Sequence, residues 1–323
     1  MIILNVLHRT RYRYAEPVSF GPHRMMMRPR DSHDLRLLDT SLTIGPNASV
    51  RWLHDVFGNS VAIAEFVEPA DELLVESAFR AEHYPLSHEA VAVEEYARHY
   101  PFSYDALEIP DLGRTAERHY PDPEHKVDMW ARRLVEQQQD GDTMAILLAM
   151  TDAVSREYTY NARDEMGTQD PLVTMESGTG TCRDFALLLM EAARSLGFAA
   201  RFVSGYLYDE ERLGETPLLG GGATHAWVQI YLPGAGWVEF DPTNALVGGR
   251  DLIRVAVTRD PSQAIPLSGS FTGASNAYLG MEVTVEITTD AAEEAAAPMP
   301  ATPADSTAAA DPAETPAAAP SGR

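Results

Sequence analysis

Residues 223–243, ATHAWVQIYLPGAGWVEFDPT, constrain the fold more strongly than any other stretch of this chain. Two runs within it, AWVQIYL and GWVEF, are rich in aromatic and β-branched residues and flank the turn-forming sequence PGAG. Such a pattern predicts a β-hairpin. His225 begins the first strand and Asp241 ends the second, so the register of the hairpin decides whether these two side chains meet.

The length of the hairpin loop sets that register. A three-residue loop over 233–235 pairs Trp227 with Asp241 and places Asp241 on the same face as His225, one diagonal step away. Diagonal neighbours are separated by roughly 7–8 Å between backbones, which long side chains can bridge. A four-residue loop would place Asp241 on the opposite face. We therefore predict the three-residue loop, or an equivalent bulge.

Cys182 is the only cysteine of the 323 residues, and it lies between a glycine-rich turn and an apolar helical segment. Gly178 and Gly180 favour a tight turn before it, and Gly197 is a natural helix stop after it. The apolar residues between them follow helical spacing: Phe185, Leu188, Leu189, Ala192, Ala193 and Leu196. We therefore expect Cys182 at a helix N-terminus, where unpaired N–H groups and the helix dipole favour a thiolate.

Each of these three residues also has a simpler interpretation. A lone free cysteine is commonly an inert core residue, a histidine that begins a strand is commonly structural, and an aspartate before proline is commonly a turn former. Together, however, Cys182, His225 and Asp241 match a nucleophile, its base and the group that orients the base. A phosphate-binding loop is not indicated, because no GK[ST] sequence follows GTGTC.

The composition along the chain predicts five segments. We expect an antiparallel all-β domain at 1–85, a connector with helices at 86–139 and a catalytic core at 140–250. A loop and a final strand that pack on the body follow at 251–290. The last segment, 291–323, is rich in Ala and Pro, acidic, and has little to bury, so we expect a disordered tail.

Several local elements are predicted inside these segments. Gly58-Asn59 is a plausible hairpin turn. Helical periodicity occurs around 89–100, over 127–139 and over 142–158, the last with Asp142 as its N-cap.

The net charge of −23 argues against nucleic acid and anionic membranes as partners. The tail holds five acidic residues and one arginine, a net of −4, so about −19 belongs to the rest of the chain. There is no HExxH or CxxC motif, so we expect no metal site.

The location expected from the sequence is the cytoplasm. No apolar run approaches the roughly 20 residues that span a bilayer. The start, MIILNVLHRTRYRY, lacks a basic n-region and a cleavage site, so we interpret it as a first β-strand and not a signal peptide. A single cysteine excludes an intramolecular disulfide, in agreement with a reducing compartment.

The segments GTGTCRDFALLLMEAARSLGFAARFVSGY and THAWVQIYLPGAGWVEFDPTN closely resemble the transglutaminase-like superfamily in its bacterial form. The resemblance covers about residues 140–245, and RPRDS and FGN in the N-terminal region resemble the β domain that accompanies this group. It implies an α+β fold with a papain-like core and a Cys–His–Asp triad. Matched residue by residue, Cys182 is the nucleophile, His225 the general acid and base, and Asp241 the orienting carboxylate.

The resemblance also implies an activity. A Cys182 thioester would form from a glutamine carboxamide or a peptide carbonyl and pass to an amine or to water. Two alternatives remain open: a cysteine peptidase or amidase with the same triad, and a non-catalytic peptide-binding module. Expected partners are a protein or peptide substrate, an amine co-substrate and components of peptide-ligase systems.

Other positions of the resemblance carry less weight. No residue clearly matches the second oxyanion donor, a tryptophan or tyrosine upstream of the cysteine. No calcium motif is present, so we expect metal independence and no cofactor. Arg201, Gly205, Tyr206 and Asp184 match family positions, and we expect them to be structural residues around the site.

Overall fold

The computed structural model describes residues 1–84, 91–138, 140–163, 167–208, 218–219 and 222–290. The predicted disordered tail, 291–323, lies outside the described residues. Among the helices of the described part, none has the length and apolar character needed to cross a bilayer.

The strands are β1 (Ile2–Phe20), β2 (His23–Met25), β3 (Leu35–Gly45), β4 (Ala48–His54), β5 (Ser60–Phe66), β6 (Ala70–His83), β7 (Thr159–Tyr160), β8 (Thr179–Gly180), β9 (Ala200–Leu207), β10 (Thr224–Leu232), β11 (Gly236–Asp241), β12 (Leu246–Val247), β13 (Leu252–Thr258), β14 (Leu267–Ser268), β15 (Phe271–Thr272) and β16 (Tyr278–Thr289). The helices are α1 (Glu108–Leu112), α2 (Lys126–Gln137), α3 (Thr143–Glu157), α4 (Pro171–Ser177) and α5 (Cys182–Ser195).

The N-terminal part of the chain is an antiparallel β structure built from two sheets. One has the order β15-β1-β6-β3, with β16 also paired to β1, and the other has the order β14-β2-β5-β4. Buried and more exposed side chains alternate along β6, as they do in a strand with one face on a core. Val18, Met25, Ala64 and Val75 bring residues of both sheets into one buried cluster. The predicted turn at Gly58 joins β4 to β5, with φ 76° at the glycine.

The second part packs helices against the antiparallel sheet β12-β11-β10-β9-β13. Helix α5 lies at the centre of this second part, and nearly all of its side chains are buried. It shares a core cluster with α2, α3, β9 and β10. Helix α3 begins after the predicted cap, Asp142, whose carboxylate accepts a hydrogen bond from the Ala145 N–H at 2.7 Å. An antiparallel β part followed by this α+β core is the fold class that the sequence predicted.

Strands β10 and β11 form the predicted hairpin with its three-residue loop. Leu232 pairs with Gly236, and Val228 pairs with Phe240. Gly234 and Gly236 have φ values of 85° and 74°, a conformation that glycine adopts without steric cost. The same register continued by one step sets Asp241 on the face of His225.

The connector before α1 differs from the prediction of a helix around 89–100. Residues 85–90 lie outside the described residues, and the rest contain only a 3₁₀ turn at Glu95–Ala97. The backbone there bonds to other elements: the Glu94 N–H donates to the Pro233 carbonyl at 2.8 Å, and the Arg98 carbonyl accepts from the Thr143 N–H at 2.8 Å. These tertiary hydrogen bonds replace those that a helix would form.

The two parts of the chain meet across a buried apolar interface. Tyr206 on β9 and Ile253 on β13 pack against Leu4 and Phe79 of the N-terminal sheet. The Tyr206 hydroxyl is hydrogen-bonded to Nδ1 of His8 at 2.9 Å. Burial lowers the pKa of His8 to about 4, so its ring stays neutral within this interface.

Candidate active site

Cys182 is the first residue of α5, directly after the N-cap residue Thr181. Asp184 fixes this helix start, because its carboxylate accepts from the Thr181 N–H at 2.8 Å and from the Thr181 hydroxyl at 2.9 Å. The cysteine is 6% exposed, at the edge of the core cluster that surrounds α5. The side chain is therefore mostly shielded from water, with a small accessible part.

Asp184 also anchors the loop before α4. Its carboxylate accepts from the Gln169 N–H at 2.7 Å and forms an ion pair with Arg163 at 2.6 Å. Burial by itself raises the pKa of Asp184, but these hydrogen bonds and the guanidinium hold that pKa below its usual range. The predicted structural role is consistent with these contacts, since Asp184 ties three segments to the helix that carries Cys182.

His225 and Asp241 meet across the hairpin, with 2.9 Å between Nε2 and Oδ2 and both side chains fully buried. The aspartate is itself held in place by the Thr243 N–H at 2.9 Å and by the Asn244 amide at 2.8 Å. The imidazole stacks on Trp227, with ring centroids 6.0 Å apart and 27° between the planes. The histidine therefore has one orientation, which its neighbours determine.

The other side of the imidazole interacts with Cys182. Burial by itself lowers the pKa of His225, but the charge and hydrogen bond of Asp241, followed by those of Cys182, raise it to about 10. Since Nε2 bonds Asp241, Nδ1 is the atom left for the sulfur, and it has no hydrogen bond of standard geometry among the described residues. Catalytic hydrogen bonds are often loose without substrate. The imidazole is thus hydrogen-bonded to Asp241 and interacts electrostatically with Cys182.

Tyr160 is a site residue that the sequence analysis did not identify. Strand β7 runs parallel to β8, which pairs Tyr160 with Gly180, two residues before Cys182. Burial and then the negative charge of Cys182 raise the pKa of the Tyr160 phenol, so its hydroxyl stays protonated. No local motif marks this position; only its place upstream of the cysteine pointed to it.

Of three other predicted residues, Gly205 pairs with His225 across β9 and β10, while Tyr206 and Arg201 contact residues outside the triad. Tyr206 belongs to the interface with the N-terminal sheet described above. Gly205 allows β9 to approach β13, because a Cβ atom there would lie 2.2 Å from the Ile253 carbonyl oxygen. Arg201 stacks its guanidinium on Trp237 at 4.0 Å. Among the described residues, no group of three or more His, Cys, Asp or Glu side chains is placed to hold a metal ion.

Comparison with known proteins identifies the family. The model of the transglutaminase-like superfamily matches residues 128–242, and that of the bacterial transglutaminase-like N-terminal region matches residues 4–82. Together the two matches cover more than half of the chain. The chain belongs to the transglutaminase-like superfamily and carries the N-terminal region of its bacterial members.

Similar proteins occur in several bacteria. An uncharacterized protein of Mycobacterium tuberculosis is 28% identical over 301 residues, which are 87% of this chain and 91% of that protein. An uncharacterized protein of Mycobacterium leprae is 27% identical over 288 residues, 88% of this chain and 98% of the relative. The crystal structure of a candidate cysteine protease from Cytophaga hutchinsonii aligns with a TM-score of 0.65 and 19% identity, over 89% of this chain and 90% of that one. At this identity the likeness shows a shared fold.

Proposed function

We propose that the protein is a thiol acyl-transfer enzyme that forms a thioester on Cys182. One observation carries the proposal: the Asp241 carboxylate bonds Nε2 of His225 at 2.9 Å, and Cys182 is close enough to the same imidazole to raise its pKa. A raised His225 pKa favours the imidazolium, and an imidazolium beside a thiol at a helix N-terminus favours the thiolate.

In the first half-reaction the thiolate attacks the carbonyl carbon of a glutamine carboxamide or a peptide, and a C–S bond forms. The carbonyl oxygen gains negative charge, and we infer that the Cys182 N–H and the Tyr160 hydroxyl stabilise it. His225 then gives its proton to the leaving ammonia or amine, the C–N bond breaks, and the thioester remains. Asp241 holds the ring and stabilises its cation throughout.

In the second half-reaction a primary amine or water attacks the thioester. His225 takes the proton of the attacking group, the C–S bond breaks, and the thiolate is regenerated. The shielding of Cys182 and His225 supports transfer to an amine, because a site that excludes water protects the thioester from hydrolysis. A cysteine peptidase or amidase with the same triad is the alternative outcome.

The test combines a glutamine peptide with a dansylated primary amine. Covalent incorporation of the amine is the expected result; conversion of the glutamine residue to glutamate with release of ammonia, or cleavage of the peptide, without incorporation would favour hydrolysis. Because Cys182 is the only cysteine, the intact mass identifies the acyl adduct without ambiguity. The control is Cys182→Ser, which should lose adduct and turnover together. If wild-type and Cys182→Ser proteins behave alike in every assay, the protein is a binding module and the proposal is wrong.

The role of Tyr160 has its own variant. Tyr160→Phe removes the hydroxyl and keeps the ring, so we expect turnover to fall by about 10²-fold, as for the loss of one oxyanion donor. Alkylation of Cys182 should stay near the wild-type rate, because no oxyanion forms in that reaction. Equal turnover of Tyr160→Phe and wild type would remove this residue from the mechanism.

A further inference from the structure

A cavity lies between the two parts of the chain, on the face of the core sheet that carries His225. Its volume is about 520 Å³, within the range of small-molecule sites. The wall from the N-terminal part is formed by residues 30–35 and Phe57, and the wall from the core by β9, β10, β11 and β13. Cys182, His225 and Asp241 do not line it.

Arg201 supplies a positive charge to this cavity that no carboxylate pairs with directly. Its Nε donates to Gln229 at 2.6 Å, and its guanidinium lies over the Trp237 ring at 4.0 Å. Its two terminal nitrogens have no hydrogen-bond partner in the described part of the chain. Two contacts thus fix the orientation of the guanidinium and leave its forked end available.

The neighbouring arginine and carboxylates are already engaged with each other. Arg254 pairs with Glu239 at 2.9 Å and with Asp34 at 3.3 Å. Glu239 also accepts from Gln229 at 2.5 Å and from the Trp227 indole. Burial, ahead of the opposing charge of Glu239, lowers the pKa of Arg201 to about 9. An incoming anion would therefore compensate a partly desolvated cation.

The other groups of the cavity define the class of anion. The charged lining of the cavity consists of three arginines and three carboxylates, Arg30, Arg201, Arg254, Asp31, Asp34 and Glu239. Because these charges nearly balance, the cavity suits a ligand with one negative charge better than a phosphate dianion. A carboxylate carries one charge and matches the guanidinium fork with two parallel hydrogen bonds. Leu35 and Phe57 supply apolar surface for a hydrocarbon portion.

We propose that this cavity binds a small organic carboxylate, with the carboxylate on the terminal nitrogens of Arg201 and the hydrocarbon portion against Leu35 and Phe57. The site is separate from the proposed thioester chemistry and does not depend on it. A carboxylate site here would also give a role to Arg201, which matches a family position but has no part in the proposed catalysis.

Calorimetric titration of the full chain tests the proposal, with benzoate and phenylacetate as carboxylate probes. Benzamide has the shape of benzoate without its charge, and inorganic phosphate supplies charge without hydrocarbon. We expect both carboxylates to bind at least about tenfold more tightly than benzamide and phosphate, a difference of about 1.4 kcal/mol. Arg201→Gln should weaken carboxylate binding by at least about tenfold.

Matched variants separate this site from the active site. Arg36→Gln changes an arginine whose side chain is 67% exposed outside the cavity and should bind as wild type does. Cys182→Ser should also bind as wild type, whether or not it abolishes catalysis. Arg201→Lys keeps the positive charge but lacks the two parallel N–H donors of the guanidinium, so its carboxylate affinity should be reduced. This variant replaces Arg201→Gln if the glutamine variant does not fold. Any of three results would overturn the proposal. Benzoate could bind no more tightly than benzamide, or neither carboxylate could bind at about 10 mM. A folded Arg201 variant could also bind carboxylates with unchanged affinity.

Discussion

The substitution Asp241→Asn tests whether Asp241 orients His225 and stabilises its positive charge, or only contacts it. The amide occupies the volume of the carboxylate but carries no charge. Its NH₂ group would face Nε2 of His225 and favour the tautomer that has its proton on Nδ1, the atom left for the sulfur. A neutral ring with that proton cannot accept one from the thiol.

The size of the effect follows from the pKa of His225. The gap between the ordinary 6.5 and about 10 corresponds to roughly 5 kcal/mol of preference for the imidazolium. This preference is the net of three effects, because burial opposes it while Asp241 and Cys182 both favour it. We expect turnover to fall by about 10³- to 10⁴-fold, and alkylation of Cys182 by iodoacetamide at about pH 6 to slow by at least about tenfold.

The rate of Cys182 alkylation, followed by intact mass as a function of pH, measures this effect without a known substrate. In wild type the reaction should persist at low pH, whereas in Asp241→Asn it should require a higher pH. Asp142→Asn is the matched control, because asparagine caps a helix as well as aspartate does. A folded Asp241→Asn protein with the wild-type pH dependence would refute the ion-pair reasoning.

Three further predictions concern stability, measured by urea unfolding. Gly205→Ala should cost about 3 kcal/mol, because its methyl group would meet the backbone of the adjacent strand at 2.2 Å, whereas Gly249→Ala, with open space around it, should stay within about 0.5 kcal/mol. Asp184 stabilises the fold above its unfolded pKa of 3.8, so the stability that it provides should be lost as the pH falls below about 4, and Asp184→Asn should flatten that decline; parallel curves would contradict the lowered pKa. Glu191→Ala should cost about 3–5 kcal/mol because it leaves a fully buried arginine unpaired, while the exposed Glu176→Ala should cost less than about 1 kcal/mol; similar losses would show that the buried pair is not structural.

Local sequence was sufficient wherever a few neighbouring residues decide the conformation. The hairpin register follows from three loop residues and the period of two along a strand, so the spacing of residues within the hairpin is enough to place Asp241 on the face of His225. The ends of the helices also follow from nearby residues: Asp142 caps α3, and Gly197, with φ 91°, follows α5.

The connector around 89–100 shows where local reasoning fails. Its periodicity is helical, but the backbone of Glu94 bonds the hairpin loop and that of Arg98 bonds the start of α3. Both partners lie far away along the chain, so no window of the sequence contains the information. The same holds for Tyr160, which lies beside Gly180, two residues before Cys182, only because β7 pairs with β8.

By itself, then, the sequence determined the hairpin, the start of α5 and the relation of His225 to Asp241, since these depend on neighbouring residues and on spacing within one hairpin. Only the tertiary structure decided that the start of α5 lies beside that hairpin, and that Arg201 belongs to a different cavity. The physical reason is that strand alternation fixes which face a side chain occupies, while long-range packing decides what lies opposite that face.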